Sequence, residues 1–252
     1  MAYKLLTVGN PKTVKGTGFG YLTAVLHLAP ASLSGRNVCP AATKGCIAAC
    51  LNTAGRGGIS AGGTLTHDDV AAGKRNAIQE ARIRRTRFLY QNRAGFIAAL
   101  EADIRRLAAD AAAHGLRAAL RLNGTSDLDW HGMAPSVVAL AASLGVALYD
   151  YTKVPNRRKR AGVHGYSVTL SLTEANDALA ADWLRAGHNV AVVFAAKRGA
   201  ALPPSYVIAG EAFRVIDGDE HDLRFLDPAG VIVGLRAKGN AKKDTTGFVR
   251  PV

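Results

Sequence analysis

The stretch Arg117-Ala-Ala-Leu-Arg-Leu-Asn-Gly-Thr-Ser-Asp127 decides the fold. Its first half, 117–122, reads as a short buried strand, and Asn123-Gly124 ends it with turn chemistry. The unit then recurs. A helix is expected over 133–143, a strand over 146–151, a strand over 167–172, a helix over 173–186 closed by Gly187, and a strand over 189–195. Short strands are also expected over 213–216 and 231–235. Strands alternating with helices imply parallel βαβ units. The expectation is an α/β fold, a partial or complete (β/α) barrel, with chemistry on the loops after the strand C-termini.

Upstream the pattern is looser. Strands are expected over 3–8 and 20–28, the second broken by Pro30. A helix is expected from Thr66 to about Gln91, with Asp68 and Asp69 in its first turn. A second, over 94–113, stops at His114-Gly115. The 252 residues read as one domain: a loop over 29–65, a helical insertion over 66–114, the βα series over 116–235, and a basic tail over 236–252.

The 29–65 loop holds every cysteine of the chain, as Cys39-Pro-Ala-Ala-Thr-Lys-Gly-Cys46-Ile-Ala-Ala-Cys50. An odd count of thiols with no signal-peptide pattern argues against a disulfide framework and for a cytoplasmic protein. No apolar run reaches the roughly eighteen residues of a membrane span. A long, Gly- and Thr-rich, non-periodic loop is usually functional. Three thiolates are one ligand short of a closed site. A [4Fe-4S] cluster on Cys39, Cys46 and Cys50 leaves one iron open. A zinc site would recruit His27 or His67 as the fourth ligand, and three buried apolar thiols are the plain structural alternative.

The segment Cys39-Pro-x-Ala with Cys46-x3-Cys50 resembles a group of phage proteins related to radical S-adenosylmethionine (SAM) enzymes. Lys74-Arg75-Asn76, Leu120–Asp127 and Leu148-Tyr-Asp-Tyr-Thr-Lys153 resemble the same group. The resemblance spans residues 20–200 through these short motifs. It implies a barrel-like fold, a [4Fe-4S] cluster on Cys39, Cys46 and Cys50, and SAM at the open iron. The cysteine spacing here, x6 then x3, departs from the usual x3 then x2, and no Gly-Gly-Glu segment is present.

Asn123, Asp127 and Ser171 follow strands and would face the barrel mouth, where they could hold a ribose, a phosphate or an amino-acid group. Turn and helix-capping roles are the alternative. Asp217-Gly-Asp-Glu-His-Asp222 is an acidic run with the donors of a metal-dependent nuclease, or a plain hairpin loop between strands 213–216 and 231–235.

The formal charge is +13, which points to a polyanionic partner, single-stranded nucleic acid above all. On one continuous helix Lys74, Arg75, Arg82 and Arg85 would share a sector about 100° wide. Lys153 and the run Arg157-Arg158-Lys159-Arg160 lie beyond a strand end, near the mouth, and Lys242 and Lys243 belong to the basic tail. No Ser-His-Asp order, P-loop or dinucleotide fingerprint competes with these readings.

Overall fold

The computed structural model describes residues 4–9 and 14–252; residue 3, the first of the expected strand 3–8, lies outside them. In chain order the strands are β1 (Leu6–Thr7), β2 (Tyr21–Leu26), β3 (Ile59–Ser60), β4 (Gly63–Thr64), β5 (Arg117–Arg121), β6 (Ala147–Thr152), β7 (Ser167–Ser171), β8 (Val190–Phe194), β9 (Ser205–Ile208), β10 (Glu211–Asp217), β11 (Ile232–Arg236) and β12 (Val249–Arg250). The helices are α1 (Lys44–Ala48), α2 (His67–Ala71), α3 (Ala77–Gln91), α4 (Arg93–Ala113), α5 (Trp130–Met133), α6 (Pro135–Ser143) and α7 (Asp177–Arg185).

One sheet organises the molecule, in the order β1-β2-β5-β6-β7-β8-β11-β10-β9. From β2 to β10 every neighbouring pair is parallel, while the outer strands β1 and β9 pair antiparallel. The parallel strands β2, β5, β6, β7 and β8 follow one another in sequence. Right-handed crossovers then place their helices on a single face. The sheet stays open: its edges β1 and β9 do not meet, so a complete barrel is not formed.

Side-chain alternation assigns the two faces. Leu120, Leu122, Leu148, Leu170, Val190, Val192 and Phe194 point into the main core with Phe96, Leu100 and Ile104 of α4, Val137 and Val138 of α6, and Trp183 of α7. The intervening residues Arg121, Asn123, Tyr151, Ser171, Ala191 and Val193 line a cavity on the opposite face. The strands therefore bury both faces, which accounts for their near-continuous apolar runs.

Four expectations change. The helix expected from Thr66 to Gln91 is broken. Thr66 and Asp69 form a capping box on α2, Gly73 takes a left-handed φ of 97°, and Asn76 caps a new helix, α3. The 29–65 loop is structured by α1, two 3-10 turns and the β3–β4 hairpin. The strands flanking the acidic run form no hairpin: Val215 lies opposite Ile232 in parallel register. The antiparallel place beside β10 is taken by β9, a short strand that the sequence did not reveal. Finally, the 236–252 segment is no free tail. Ala237, Ala241 and Phe248 bury against Ala49 and Cys46, and β12 joins β8.

Candidate metal centre

The three cysteines, 39, 46 and 50, line one cavity of about 180 Å³. It lies beyond the C-terminal ends of β5 to β8, the position that parallel α/β folds use for ligands. One part of its lining is apolar, with Ala42, Ala49, Leu172, Val193 and Phe248. Its polar wall carries Arg121, Lys153, Arg236 and Lys238.

Local structure fixes each thiol differently. Cys39 Sγ accepts the Ala31 N–H at 3.3 Å, and Ala31 holds a left-handed φ of 46° to deliver it. Cys50 ends the segment by accepting the Asn52 N–H at 3.5 Å. Behind Asn52 lies a buried network. Its amide donates to Gln79 at 2.7 Å, Gln79 donates to the Asn52 and Gly57 carbonyls, and Arg82 Nη1 donates to Asn52 Oδ1 at 2.6 Å. Any side chain at Gly58 would meet the Thr53 carbonyl oxygen at 2.0 Å, so only glycine fits there.

Cys46 rides on α1, and that helix hangs on Glu174. The Glu174 carboxylate accepts from Thr43 Oγ1 at 2.8 Å and from the Gly45 N–H at 2.9 Å. Thr43 in turn caps α1 by accepting the Cys46 N–H. Glu174 lies just past β7, so the sheet itself places Cys46. Sequence reasoning missed Glu174; a lone carboxylate beyond a strand end gave no pattern.

Burial, above all, pushes the Cys39 thiol up to about 12 and Cys50 up to about 11. Burial alone would lower the Lys153 ammonium, but Cys46, Asp127 and Cys39 around it hold it above its ordinary value. Three thiols with backbone N–H donors on two of them, among four cations, are a donor set suited to a soft, anionic metal–sulfur group.

Among the described residues, no three His, Cys, Asp or Glu side chains are gathered tightly enough to hold one metal ion. A cluster is wider than an ion and asks for more widely spaced sulfurs. His27 and His67 do not line the cavity, so neither stands as a fourth ligand there. Burial first, then the charges of Arg82 and Arg121, push His27 down to about 3.

The other expected residues divide. Ser171 lines the cavity at the end of β7. Asn123 and Asp127 line it too, but their polar atoms are spent on the loop. Asn123 bonds Asp150, Leu128, Ser126 and Trp130, and Asp127 accepts from Thr152 Oγ1 and Lys153 N at 2.8 Å each. Tyr151 lies near the end of β6, within the Leu148–Lys153 motif. It lines the cavity with a buried hydroxyl that has no hydrogen-bond partner, and Arg121 stacks on its ring at 4.6 Å.

Lys74, Arg75, Arg82 and Arg85 do not share one helix face. Lys74 and Arg75 sit in the break before α3, paired with Asp69 and Glu80, and Arg85 is partly buried. Arg82 points inward behind Cys50, and its burial lowers it to about 10. Arg157 is buried against Asp127 and Asp129 rather than free for phosphate. Arg158 reaches the Asp182 carbonyl, and Lys159 and Arg160 are exposed. Lys242 and Lys243 are exposed on the 3-10 turn Gly239–Lys243, apart from that run in the fold.

The nuclease constellation is dispersed. Asp217 and Asp219 pair with Arg236 at 2.8 and 3.3 Å, and Asp219 also pairs with Lys238. Asp222 is buried against Arg121 and the Tyr149 hydroxyl. His221 turns toward Asp227 and Phe19. The run that reads as a metal site holds the cations of the neighbouring cavity.

The fold and site define an open, mostly parallel α/β protein with a thiol-lined cavity at the carboxyl ends of its strands. The chain belongs to the gene product 88 family, which matches residues 4–251; the family's name supports a phage-type protein. No curated protein and no solved structure matches the chain. Among the described residues, no helix is long and apolar enough to cross a membrane.

Proposed function

We propose that this protein holds a [4Fe-4S] cluster on Cys39, Cys46 and Cys50 and uses it for radical-SAM-like chemistry on a nucleotide unit of a nucleic acid. The observation that carries the reading is the convergence of all three thiols on one cavity that no histidine lines. Held by Cys39, Cys46 and Cys50, such a cluster would, when reduced, supply one electron for cleavage of SAM. The sequential parallel order of β2, β5, β6, β7 and β8 is compatible with a partial (β/α) barrel of that superfamily.

The chain's own residues divide the remaining tasks. Glu174 and the Asn52–Gln79–Arg82 network hold the ligand segment against the sheet. Lys153 and Arg121 balance negative charge inside the cavity, where low polarity magnifies it. Ser171 and the unpartnered Tyr151 hydroxyl offer hydrogen bonds to an occupant. Phe248 and the C-terminal segment exclude water from the apolar side.

The test incubates the reduced, iron-loaded protein with SAM. Release of 5′-deoxyadenosine, absent in Cys46→Ala, is expected. A protein that carries the cluster yet leaves SAM intact and its spectrum unperturbed would instead be a non-catalytic iron–sulfur nucleic-acid binder.

A further inference from the structure

A second cavity, of about 540 Å³, adjoins the first. Asp127 lines both, and Pro40, next to the ligand Cys39, forms part of its wall. The volume falls within the range of small-molecule sites. Its other polar residues are Asp129, Asn156, Arg157, Lys159 and Arg160.

The charges in it are not equivalent. Both Asp127 oxygens are bound to Thr152 and Lys153, so this carboxylate is part of the wall. Arg157 is buried, donates to the Asp127 carbonyl at 3.3 Å, and approaches Asp129 at 3.9 Å. Those two acids outweigh Arg157 by one charge, and Lys159 and Arg160 add two positive charges to the lining. Lys159 and Arg160 are exposed and have no ion-pair partner among the described residues. The cavity therefore keeps an excess of positive charge on its open side. The Asn156 side chain adds donors and an acceptor beside it.

We propose that this cavity seats a phosphoryl group of the substrate, gripped by Lys159 and Arg160, so that the attached nucleoside extends past Asp127 into the thiol-lined cavity. The inference rests on the nucleotide-directed reading above and gives it a point of attachment. It also gives the run 157–160 two roles: Arg157 builds the wall, and the two exposed cations bind.

The experiment measures binding of a labelled single-stranded oligodeoxynucleotide by anisotropy, with a nucleoside monophosphate as competitor. Lys159→Ala/Arg160→Ala is expected to weaken binding at least about tenfold and to flatten the slope of log K against log salt by about 0.7, the share of one neutralised phosphate on a single strand. Lys242→Ala/Lys243→Ala, equally exposed but on another segment, is the control and should change affinity less than about twofold. Equal loss in both double variants would mean diffuse charge and overturn the proposal, as would no loss in the first. Competition by the monophosphate identifies a monomeric substrate. Strand binding without such competition identifies a polymer. No binding of either ligand overturns the site. Cys39→Ala separates the two readings: retained binding with no iron leaves the phosphoryl site standing even if the cluster chemistry fails.

Discussion

Two segments of this chain gather metal-ligand residue types, and the fold treats them in opposite ways. Residues 39–50 bring three thiols to the wall of one cavity at the strand ends. Residues 217–222 turn their carboxylates toward cations: Arg236, Lys238 and Arg121. Those same cations line the thiol cavity. The acidic run thus holds the cations of the cavity, and the cysteine run lines it. Density of ligand types alone does not separate these roles; what separates them is that the carboxylates are already ion-paired while the thiols face one cavity.

The comparison breaks first at the cysteines. Cys39→Ala, Cys46→Ala or Cys50→Ala should each reduce bound iron to below about a tenth of wild type, because a cluster needs every thiolate that holds it. Asp217→Asn/Asp219→Asn should leave iron content unchanged, as metal analysis of both sets would reveal. Iron lost equally from the acidic variant would erase the distinction.

Next in size is Asp222→Ala. It leaves the Arg121 guanidinium without its buried counter-charge, a change that costs about 3–5 kcal/mol. Urea denaturation would measure it. The more exposed Asp217→Asn should cost less than about 1 kcal/mol.

Glu174→Gln follows. One carboxylate oxygen becomes an amide nitrogen that cannot accept from Thr43 or Gly45, for a loss of about 1–2 kcal/mol. Because Glu174 acts only by positioning α1, iron occupancy should fall severalfold while the affinity for single-stranded DNA holds. Unchanged iron occupancy would remove Glu174 from the site.

The last effect is a slope with pH. Burial is the main cause that lifts Asp150 to about 7, against the hydrogen bonds from Tyr166 and Asn123. Folded Asp150 therefore holds its proton between about pH 4 and 7, where the unfolded chain has released it. Its contribution is full below the unfolded value and is lost as pH rises through about 7. His27, depressed to about 3, has the opposite slope between about 3 and 6.5, so the total curve mixes both. The difference between wild type and Asp150→Asn isolates Asp150. Wild type should lose stability relative to the variant by up to about 1.4 kcal/mol per unit across that window. A flat difference would place the carboxyl at its ordinary value.

Much of this was legible in the sequence. The βα series from Arg117 to Phe194 announces itself by apolar runs ended with Asn-Gly, Tyr-Thr-Lys or Ser, and the strands fall within a residue or two of expectation. The cysteine spacing marks the cavity. What stayed hidden depends on contacts between distant segments. Gly73 and Asn76 break a helix that charge periodicity alone prolongs. Arg82 reads as a surface cation until Asn52, thirty residues earlier, is placed beside it. Glu174 gains its meaning only when β7 and α1 meet, 129 residues apart from carboxylate to Gly45. The tail 236–252 looks polar, yet Phe248 anchors it over Cys46.

The central claim is that the three thiols share one iron–sulfur cluster. Anaerobic purification and reconstitution of the full chain, with iron, sulfide and zinc counted and visible and electron paramagnetic resonance spectra recorded, tests it most directly. The account predicts about four irons and four sulfides per chain, with a reducible cluster spectrum. A protein that retains zinc alone, or no metal, after the same treatment would contradict it.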